Sequence, residues 1–253
     1  MISLVYFFIF LFGLALGSFL NCIIYRLEVG GSFLRGRSFC PHCKHILNWS
    51  DLIPVFSFLI LKGKCRYCQQ KISWQYSLVE ISTGLLFISL LNLTQVRPVY
   101  FYLLLMGCFF IIIFVYDLKH YIIPDKIIYP AIVIAFLYTL RDPVSLMKPG
   151  LVAAFLASAF FLSIVILSHG KWMGWGDIKL VFLIGLILGF PNILVSLFLA
   201  FLIGAIIGLG LIISGKKTLK SEVPFGPFLV TGTFLALFWG EKLINYYLNF
   251  FNL

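Results

Sequence analysis

The chain reads MGWGDIK at residues 173–179, and this segment leads directly into a long apolar run. Asp177 therefore stands where an apolar segment begins, and a charged side chain costs about 3 kcal/mol at the centre of a bilayer on insertion scales. An acid at such a position is a candidate functional residue. Gly174 and Gly176 lack a Cβ atom, so the backbone can bend here or approach another helix closely.

The composition of the whole chain is that of a membrane protein. Of 253 residues, 62% are apolar and 11% are charged, which is too little charge to cover a water-soluble domain. The formal net charge of +10 could indicate nucleic-acid binding, but the basic residues lie between apolar runs, as in loops that determine membrane topology. We therefore expect a polytopic membrane protein with no nucleic-acid partner.

Eight apolar segments are candidates to cross a hydrocarbon core of roughly 30 Å at about 1.5 Å per helical residue. The first lacks a basic n-region and a small-residue cleavage site, so we expect it to be retained as a membrane span. The fourth and sixth are the shortest. The predicted fold is all-α, with about eight transmembrane helices near residues 2–24, 77–94, 98–116, 126–140, 150–168, 178–190, 193–213 and 226–248.

Lys and Arg residues are distributed unevenly between the two sides of the membrane. With the N-terminus outside, 15 basic residues lie in cytosolic loops and 4 lie on the other side, which the positive-inside rule favours strongly. The cytosolic residues are Arg26, Arg35, Arg37, Lys44, Lys62, Lys64, Arg66, Lys71, Lys119, Lys126, Lys171, Lys179, Lys216, Lys217 and Lys220. The others are Arg97, Arg141, Lys148 and Lys242.

Asp117 and Asp177 lie at the ends of two predicted spans. Asp117 ends the third span and Asp177 begins the sixth. Two crossings separate the acids, so both lie on the same face of the membrane in either orientation, and the positive-inside rule makes that face cytosolic. We therefore predict that the two side chains face each other, a prediction that fails if one span between them is lost.

Residues 27–76 form the one sizeable polar region, between the first and second predicted spans. It carries two Cys-x-x-Cys pairs, Cys40 with Cys43 and Cys65 with Cys68, separated by 21 residues. Two such pairs can offer four thiolates to one tetrahedral zinc ion, at a spacing close to that of a zinc ribbon. Disulfides are the alternative, but thiols stay reduced in the cytosol. Four thiolates leave no open coordination position, so we predict a structural zinc site.

A close pair of carboxyl groups would have a specific chemistry. Both groups cannot ionise at low cost, so one retains a proton. The ionised group can then activate a water for attack on a peptide carbonyl, while the protonated group supports the developing oxyanion. Ordinary interfacial charge is the alternative: Asp117 could pair with Lys119, and Asp177 could pair with Lys179 or with a helix N-terminus. Asp125 is predicted as a first-turn acid of the fourth span.

Six short motifs are spread over nearly the whole chain. They are GSFLN with YR at residues 17–26, the two cysteine pairs, Glu80 in SLVE, the segment 117–125 ending in IPD, GWGDIK at 174–179 and PFGP at 224–227. In this order, the motifs resemble the type IV prepilin peptidase family. The Gly-x-Gly-Asp element alone is shared with other intramembrane aspartyl proteases such as presenilin.

The resemblance implies a multi-pass enzyme of the bacterial cytoplasmic (inner) membrane with two activities. As an aspartic endopeptidase it would cut the leader peptide from type IV prepilins and pseudopilins at the cytosolic face. It would then methylate the new N-terminal amine with S-adenosylmethionine. By this resemblance the catalytic pair falls on Asp117 and Asp177, and the zinc ligands fall on the four paired cysteines.

The implied methyltransferase activity is associated with the N-terminal part of the family. Gly63 and Glu80 are its candidate residues here, although the chain has no Rossmann-like glycine-rich turn for a methyl donor. The implied substrates carry a short basic leader followed by an apolar helix, so they would lie partly in membrane lipid. Glu80, Glu28 and Asp51 could meet the leader charge, with solvated surface as the alternative for the last two. The PFGP segment could shape the active site or could be only a helix-entry turn.

The predicted chain organisation has three parts. Residues 1–26 form the first transmembrane helix, residues 27–76 form a cytosolic loop domain that binds zinc through four cysteines, and residues 77–253 form a transmembrane peptidase domain of about seven helices. Two other functions remain open. One is a transporter or channel that uses the aspartate pair as a proton or cation relay, although the chain shows no internal repeat. The other is a noncatalytic assembly protein whose zinc loop recruits a partner.

Overall fold

The structure, a computed structural model, describes residues 2–31, 36–94, 96–141, 149–218 and 221–250. Arg35, Lys148 and Lys220, three of the basic residues in the topology argument, lie outside these ranges. The described residues form nine α-helices, one short 3₁₀ helix at Trp49–Leu52 and no β-strand. The α-helices are α1 (Ile2–Glu28), α2 (Phe56–Ile60), α3 (Trp74–Leu93), α4 (Arg97–His120), α5 (Asp125–Arg141), α6 (Pro149–Leu167), α7 (Trp175–Leu188), α8 (Asn192–Ile213) and α9 (Gly226–Phe250).

Each of the eight predicted spans coincides with one α-helix. The ninth α-helix of the described residues, α2, was not predicted. Within the described ranges, six helices are long and apolar enough to cross a membrane, and these are α1, α3, α4, α6, α8 and α9. The remaining two, α5 with 17 residues and α7 with 14, match the two shortest predictions. At 1.5 Å per residue they are about 26 Å and 21 Å long. The all-α polytopic membrane fold is therefore confirmed.

Local sequence explains why α5 and α7 are short. α5 begins directly after Pro124 with Asp125 in its first turn, as predicted, and an acid there suits the positive end of the helix dipole. α7 begins after Gly174 and ends at Leu188, because Gly189 adopts a φ of 62°. A glycine in this left-handed conformation is a common end to a helix.

The chain divides into two compact units, Met1–Ile112 and Ile113–Leu253, called here the N-terminal and C-terminal units. In the N-terminal unit, α1 packs against α3 through glycines. A Cβ atom on Gly13 would lie 2.7 Å from the Cα of Gly84, and one on Gly17 would lie 2.6 Å from the Cα of Glu80. The absence of side chains thus allows close helix packing. The predicted division of the chain at residues 26 and 76 stays a prediction.

In the C-terminal unit, α7 is the central helix. It contacts α5, α6, α8 and α9, and its side chains Leu180, Val181, Leu183 and Ile184 are completely buried. α6 approaches it at Gly185, where a Cβ atom would collide with the backbone of Ala154. A helix this well enclosed holds its first turn, and therefore Asp177, in a defined place.

Candidate functional site

Asp117 lies in the last turn of α4, in the C-terminal unit, and only 4% of the residue is exposed. Its Oδ2 atom is buried and has no hydrogen-bond partner. Gly226, the first residue of α9, packs directly against it, since a Cβ atom on Gly226 would lie 2.5 Å from that oxygen. A buried carboxyl oxygen with no partner costs free energy, so such a group is more often kept for chemistry than for stability.

Asp177 is the third residue of α7, and 8% of it is exposed. Its Oδ2 atom accepts a hydrogen bond of 3.2 Å from the backbone N–H of Gly174. The carboxyl group is thereby fastened to the N-terminal end of its own helix, whose free amides favour an anion. A Cβ atom on Gly174 would lie 3.6 Å from the same oxygen, which is ordinary contact, so space alone does not require glycine there.

The two buried carboxyl groups interact with each other. The negative charge of Asp117 acts on the Asp177 carboxyl group, although 60 residues separate the two acids in the chain. The alternative in which Asp177 pairs with Lys179 is not what the structure shows, because the Lys179 Nζ atom donates a 2.6 Å hydrogen bond to Asp125. The two buried aspartates are therefore near enough in the C-terminal unit for their charges to interact, and that their side chains face each other stays a prediction.

Two contacts that the sequence did not indicate hold the site together. Gly176 lies against Ile123, and a Cβ atom there would come within 3.1 Å of the Ile123 side chain. Lys179 joins α7 to α5 through Asp125 and lies 4.7 Å from the ring centre of Tyr129. The segment that links α4 to α5 is therefore attached to the start of α7.

The PFGP segment both starts a helix and shapes the site. The Phe225 ring packs 5.0 Å from the Phe201 ring of α8 and 6.4 Å from the Phe161 ring of α6. The centre of the Phe228 ring lies 6.3 Å from that of the Phe225 ring. These aromatic contacts hold the turn that presents Gly226 to Asp117. Their spacing along the chain carries no signal that sequence reasoning could have used.

The four paired cysteines meet at one point of the N-terminal unit. Their sulfur atoms all lie within 4.8 Å of one another, and the Sγ atoms of Cys40 and Cys68 are 3.9 Å apart. In tetrahedral zinc sites with Zn–S bonds of about 2.3 Å, sulfur atoms are about 3.8 Å apart. All six cysteines of the chain are described and none forms a disulfide. The cluster could therefore hold a metal ion, as predicted.

Both cysteine turns have the same backbone pattern. The N–H of Cys40 donates to the carbonyl of His45, and the N–H of Cys65 donates to that of Gln70, each at 2.9 Å. The amide of Gln70 lowers the pKa of Cys68, but burial and hydrogen bonds with the other three thiols outweigh it and raise that pKa to about 11. His45 stacks on Tyr67 with ring centres 3.6 Å apart, so it packs beside the cluster.

The two candidate residues for methyl transfer lie in different surroundings. Glu80, in α3, is buried and accepts a 2.8 Å hydrogen bond from the backbone N–H of Val55. Gly63 has a φ of 69°, and a Cβ atom there would lie 3.1 Å from the Phe58 ring. Glu80 therefore offers a carboxyl group, whereas Gly63 leaves room for the Phe58 ring.

Glu28 and Asp51, the other acids considered for binding the leader, are also in the N-terminal unit. Glu28 ends α1 and is partly exposed. Asp51 forms an ion pair of 2.8 Å with Arg66 beside the second cysteine turn. The negative charge of Asp51 is thus paired with Arg66 within the loop itself.

Comparison with known proteins gives one consistent result. Residues 11–94 match the bacterial peptidase A24 N-terminal domain, and residues 103–209 match the type IV leader peptidase family. A prepilin leader peptidase/N-methyltransferase of Bacillus subtilis is 33% identical over 95% of this chain and 96% of its own. Relatives of the same name from Aeromonas salmonicida and Legionella pneumophila are 32% and 30% identical, each over 95% of this chain and 93% of its own. No solved structure matches the chain.

Proposed function

Because the chain belongs to the type IV leader peptidase family, it is a prepilin leader peptidase that is also an N-methyltransferase, and we propose that Asp117 and Asp177 carry out the cleavage. One observation carries this proposal: two carboxyl groups from distant parts of the chain are both buried, and the charge of one acts on the other. Nothing in the relatives' names or in the described residues favours a transporter or channel.

The proposed cleavage uses the pair as one unit that holds a single proton. The ionised carboxylate takes a proton from a water molecule as the water oxygen bonds to the peptide carbonyl carbon. The protonated carboxyl group donates its proton to the carbonyl oxygen. When the carbon–nitrogen bond breaks, the pair gives its proton to the leaving amine, and one hydroxyl group of the tetrahedral intermediate returns a proton to the pair as the new carboxyl group forms. These steps need only the two carboxyl groups and water.

S-adenosylmethionine supplies an electrophilic methyl group for the second activity. When bound, it would transfer this group to the neutral N-terminal amine of the cleaved prepilin, and the nitrogen would release one proton to solvent. Two residues are candidates for this step. Glu80 offers a carboxylate, whereas Gly63 has no Cβ atom and so leaves room for the Phe58 ring.

The protein is a multi-pass inner-membrane protein that acts on prepilins. We further propose that its N-terminus lies outside, that the aspartates lie at the cytosolic face, and that the four cysteines bind structural zinc. The clustered sulfur atoms support the zinc proposal. The proposed substrates carry a basic leader and an apolar helix, and they reach the site from the lipid, because a helix of that kind remains in the bilayer.

Substitution of the aspartates tests the peptidase proposal. Asp117→Asn and Asp177→Asn each keep the size of the side chain but remove its ability to ionise. We expect each variant to lose leader cleavage roughly 1,000-fold or more, since general acid–base catalysis is typically worth that much. The measurement is the mass of a purified prepilin after incubation with the enzyme in membranes.

Glu241→Gln is the matched control. Glu241 is exposed and lies in α9, 15 residues after Gly226, outside the proposed site. This variant should retain most of its cleavage activity at equal amounts of inserted protein. Normal processing by Asp117→Asn or Asp177→Asn would remove the proposed mechanism.

A further inference from the structure

We propose that S-adenosylmethionine binds in a cavity of about 330 Å³ in the N-terminal unit, an inference that rests on the proposed N-methyltransferase function. The cavity lies between the ends of α1 and α3 and the loop that carries the cysteine cluster. Its volume falls within the range of roughly 300–1,000 Å³ that is typical of small-molecule sites.

Two buried polar atoms in the cavity wall lack partners. The Oδ1 atom of Asn21 and the Oγ atom of Ser77 have no hydrogen-bond partner, and the two residues are only 3% and 4% exposed. The Nδ2 atom of Asn21 donates a 2.9 Å hydrogen bond to the carbonyl of Tyr76, which determines the direction of the remaining oxygen. Unpaired buried groups are costly. Both residues line the cavity, so a ligand with hydroxyl and amino groups can pair with these atoms once the two side chains turn toward it.

The charges around the cavity fit a donor that carries both signs. Glu80 lines the cavity and is held in place by the N–H of Val55 and the hydroxyl of Ser18. A buried carboxylate of this kind favours a cationic ligand, and S-adenosylmethionine has a sulfonium and an ammonium group. Arg37 and Lys71 also line the cavity, where they can meet the carboxylate of the donor.

Aromatic rings line the same cavity. Tyr25 and Phe39 meet edge to face with ring centres 5.8 Å apart. Phe58, the ring supported by Gly63, and Tyr76 also contribute to the wall. Aromatic faces stack with a purine base and attract a cationic sulfur centre. The cavity therefore combines the three features that an adenosyl sulfonium compound needs: hydrogen-bonding groups, an acid and aromatic faces.

The metal cluster forms part of the same wall. Cys40 and Cys65 line the cavity and are buried. A metal ion held by the four sulfur atoms would keep the loop folded against α1 and α3. This gives the cluster a role in donor binding without placing the metal in the reaction.

The test measures equilibrium binding of labelled S-adenosylmethionine to the purified full-length protein in detergent. Ser77→Ala removes a hydroxyl that has no partner, and Glu80→Gln removes the charge but leaves an oxygen for Val55. We expect the dissociation constant to rise about 3- to 10-fold for the first and at least about 10-fold for the second. Ser82→Ala and Glu241→Gln are the controls, since both residues are exposed and neither lines the cavity.

Leader cleavage, measured on the same samples, reports whether the variants are folded. Ser77→Ala should keep wild-type cleavage, because Ser77 has no proposed part in substrate binding and the proposed catalytic pair lies in the other unit. Wild-type affinity for the donor in both variants would overturn this inference even if the wild-type protein cleaves and methylates normally. A wild-type protein that neither cleaves prepilin nor binds the donor would instead overturn the proposed function.

Discussion

At the residue scale, the proposed catalytic pair needs the space left by a glycine, Gly226, which has no side chain. Gly226 lies so close to Asp117 that a Cβ atom would come within 2.5 Å of Oδ2. Such a contact is too short to exist, so either the carboxyl group or the start of α9 would have to move. Asp117 is itself only 4% exposed, and dense packing around a buried side chain limits how far it can retreat.

We therefore expect Gly226→Ala to lower the rate of leader cleavage about 100-fold, because a displacement of about 1 Å in a catalytic site can cost that much. The measurement is the initial rate of prepilin processing at saturating substrate. Binding of S-adenosylmethionine should not change, because the proposed donor cavity is in the other unit.

Gly208→Ala is the matched control for this substitution. Gly208 lies within α8, and an added Cβ atom there has no neighbour within 4 Å. Alanine is also a better helix former than glycine by up to about 1 kcal/mol. Equal cleavage rates in Gly226→Ala and Gly208→Ala would show that Asp117 does not need the space that Gly226 leaves.

At the element scale, the two cysteine turns are equivalent units whose sulfur atoms meet in one cluster that could hold a metal ion. Each turn has the same pair of backbone hydrogen bonds around its first cysteine, and a residue with positive φ follows, Lys44 in one and Gln69 in the other. The described part of the loop between α1 and α3, residues 36–73, has one 3₁₀ turn and the five-residue α2 as its helical elements. We therefore expect a metal-bound cluster to be its main source of order.

We expect purified protein to contain about one zinc ion per chain, as four thiolates complete a tetrahedral shell. Cys40→Ser should reduce the zinc content to near zero and make residues 36–73 sensitive to protease, because the loop loses its cross-link. Elemental analysis by mass spectrometry measures the metal, and a limited digest measures the loop.

Cys108→Ser provides the comparison for that experiment, since Cys108 lies within α4, outside the cluster. It should leave the zinc content unchanged. A wild-type protein that carries another metal, or Cys40→Ser with full zinc, would contradict the zinc site.

At the scale of the whole molecule, the residues proposed for the two activities lie in different compact units. The aspartate pair is in the C-terminal unit, whereas the cysteine cluster and the cavity are in the N-terminal unit. The uneven distribution of basic residues applies to the entire chain, and the predicted orientation of the protein in the membrane rests on it.

Labelling with a membrane-impermeant maleimide tests the predicted orientation. A cysteine at Val96, an exposed residue just before α4, should be labelled in intact cells, because the loop after the second span is predicted to lie outside. A cysteine at Lys217, just after α8, should be labelled only after the inner membrane is opened. The reverse pattern would place the N-terminus in the cytosol.

Hydrophobic pattern located the long helices well, because the requirement to cover a lipid-facing helix acts on every residue of a span. The hydrophobic pattern predicted the ends of the helices less accurately. The predicted span 178–190 is the helix Trp175–Leu188, and the predicted span 2–24 continues to Glu28. Backbone hydrogen bonding can continue a helix beyond the end of its apolar segment. A glycine such as Gly189 can instead end a helix within the apolar segment.

The approach of Asp117 to Asp177 was predictable because membrane crossings limit where a loop can be. The contacts that shape the site were not, since Gly226 against Asp117, Phe225 between Phe161 and Phe201, and Lys179 with Asp125 each join parts of the chain with no shared pattern. The same holds for the cavity beside the cysteine cluster.

By itself the sequence determined an all-α membrane protein and the two cysteine pairs that come together, and it predicts the side on which both aspartates lie. These properties follow from local chemistry: apolar runs, charge balance and cysteine spacing. Only the tertiary structure decided which atoms are left without partners, at Asp117, Asn21 and Ser77, and where a Cβ atom cannot fit. Such features depend on how several helices pack at once, because the space at one residue is defined by neighbours from distant parts of the chain.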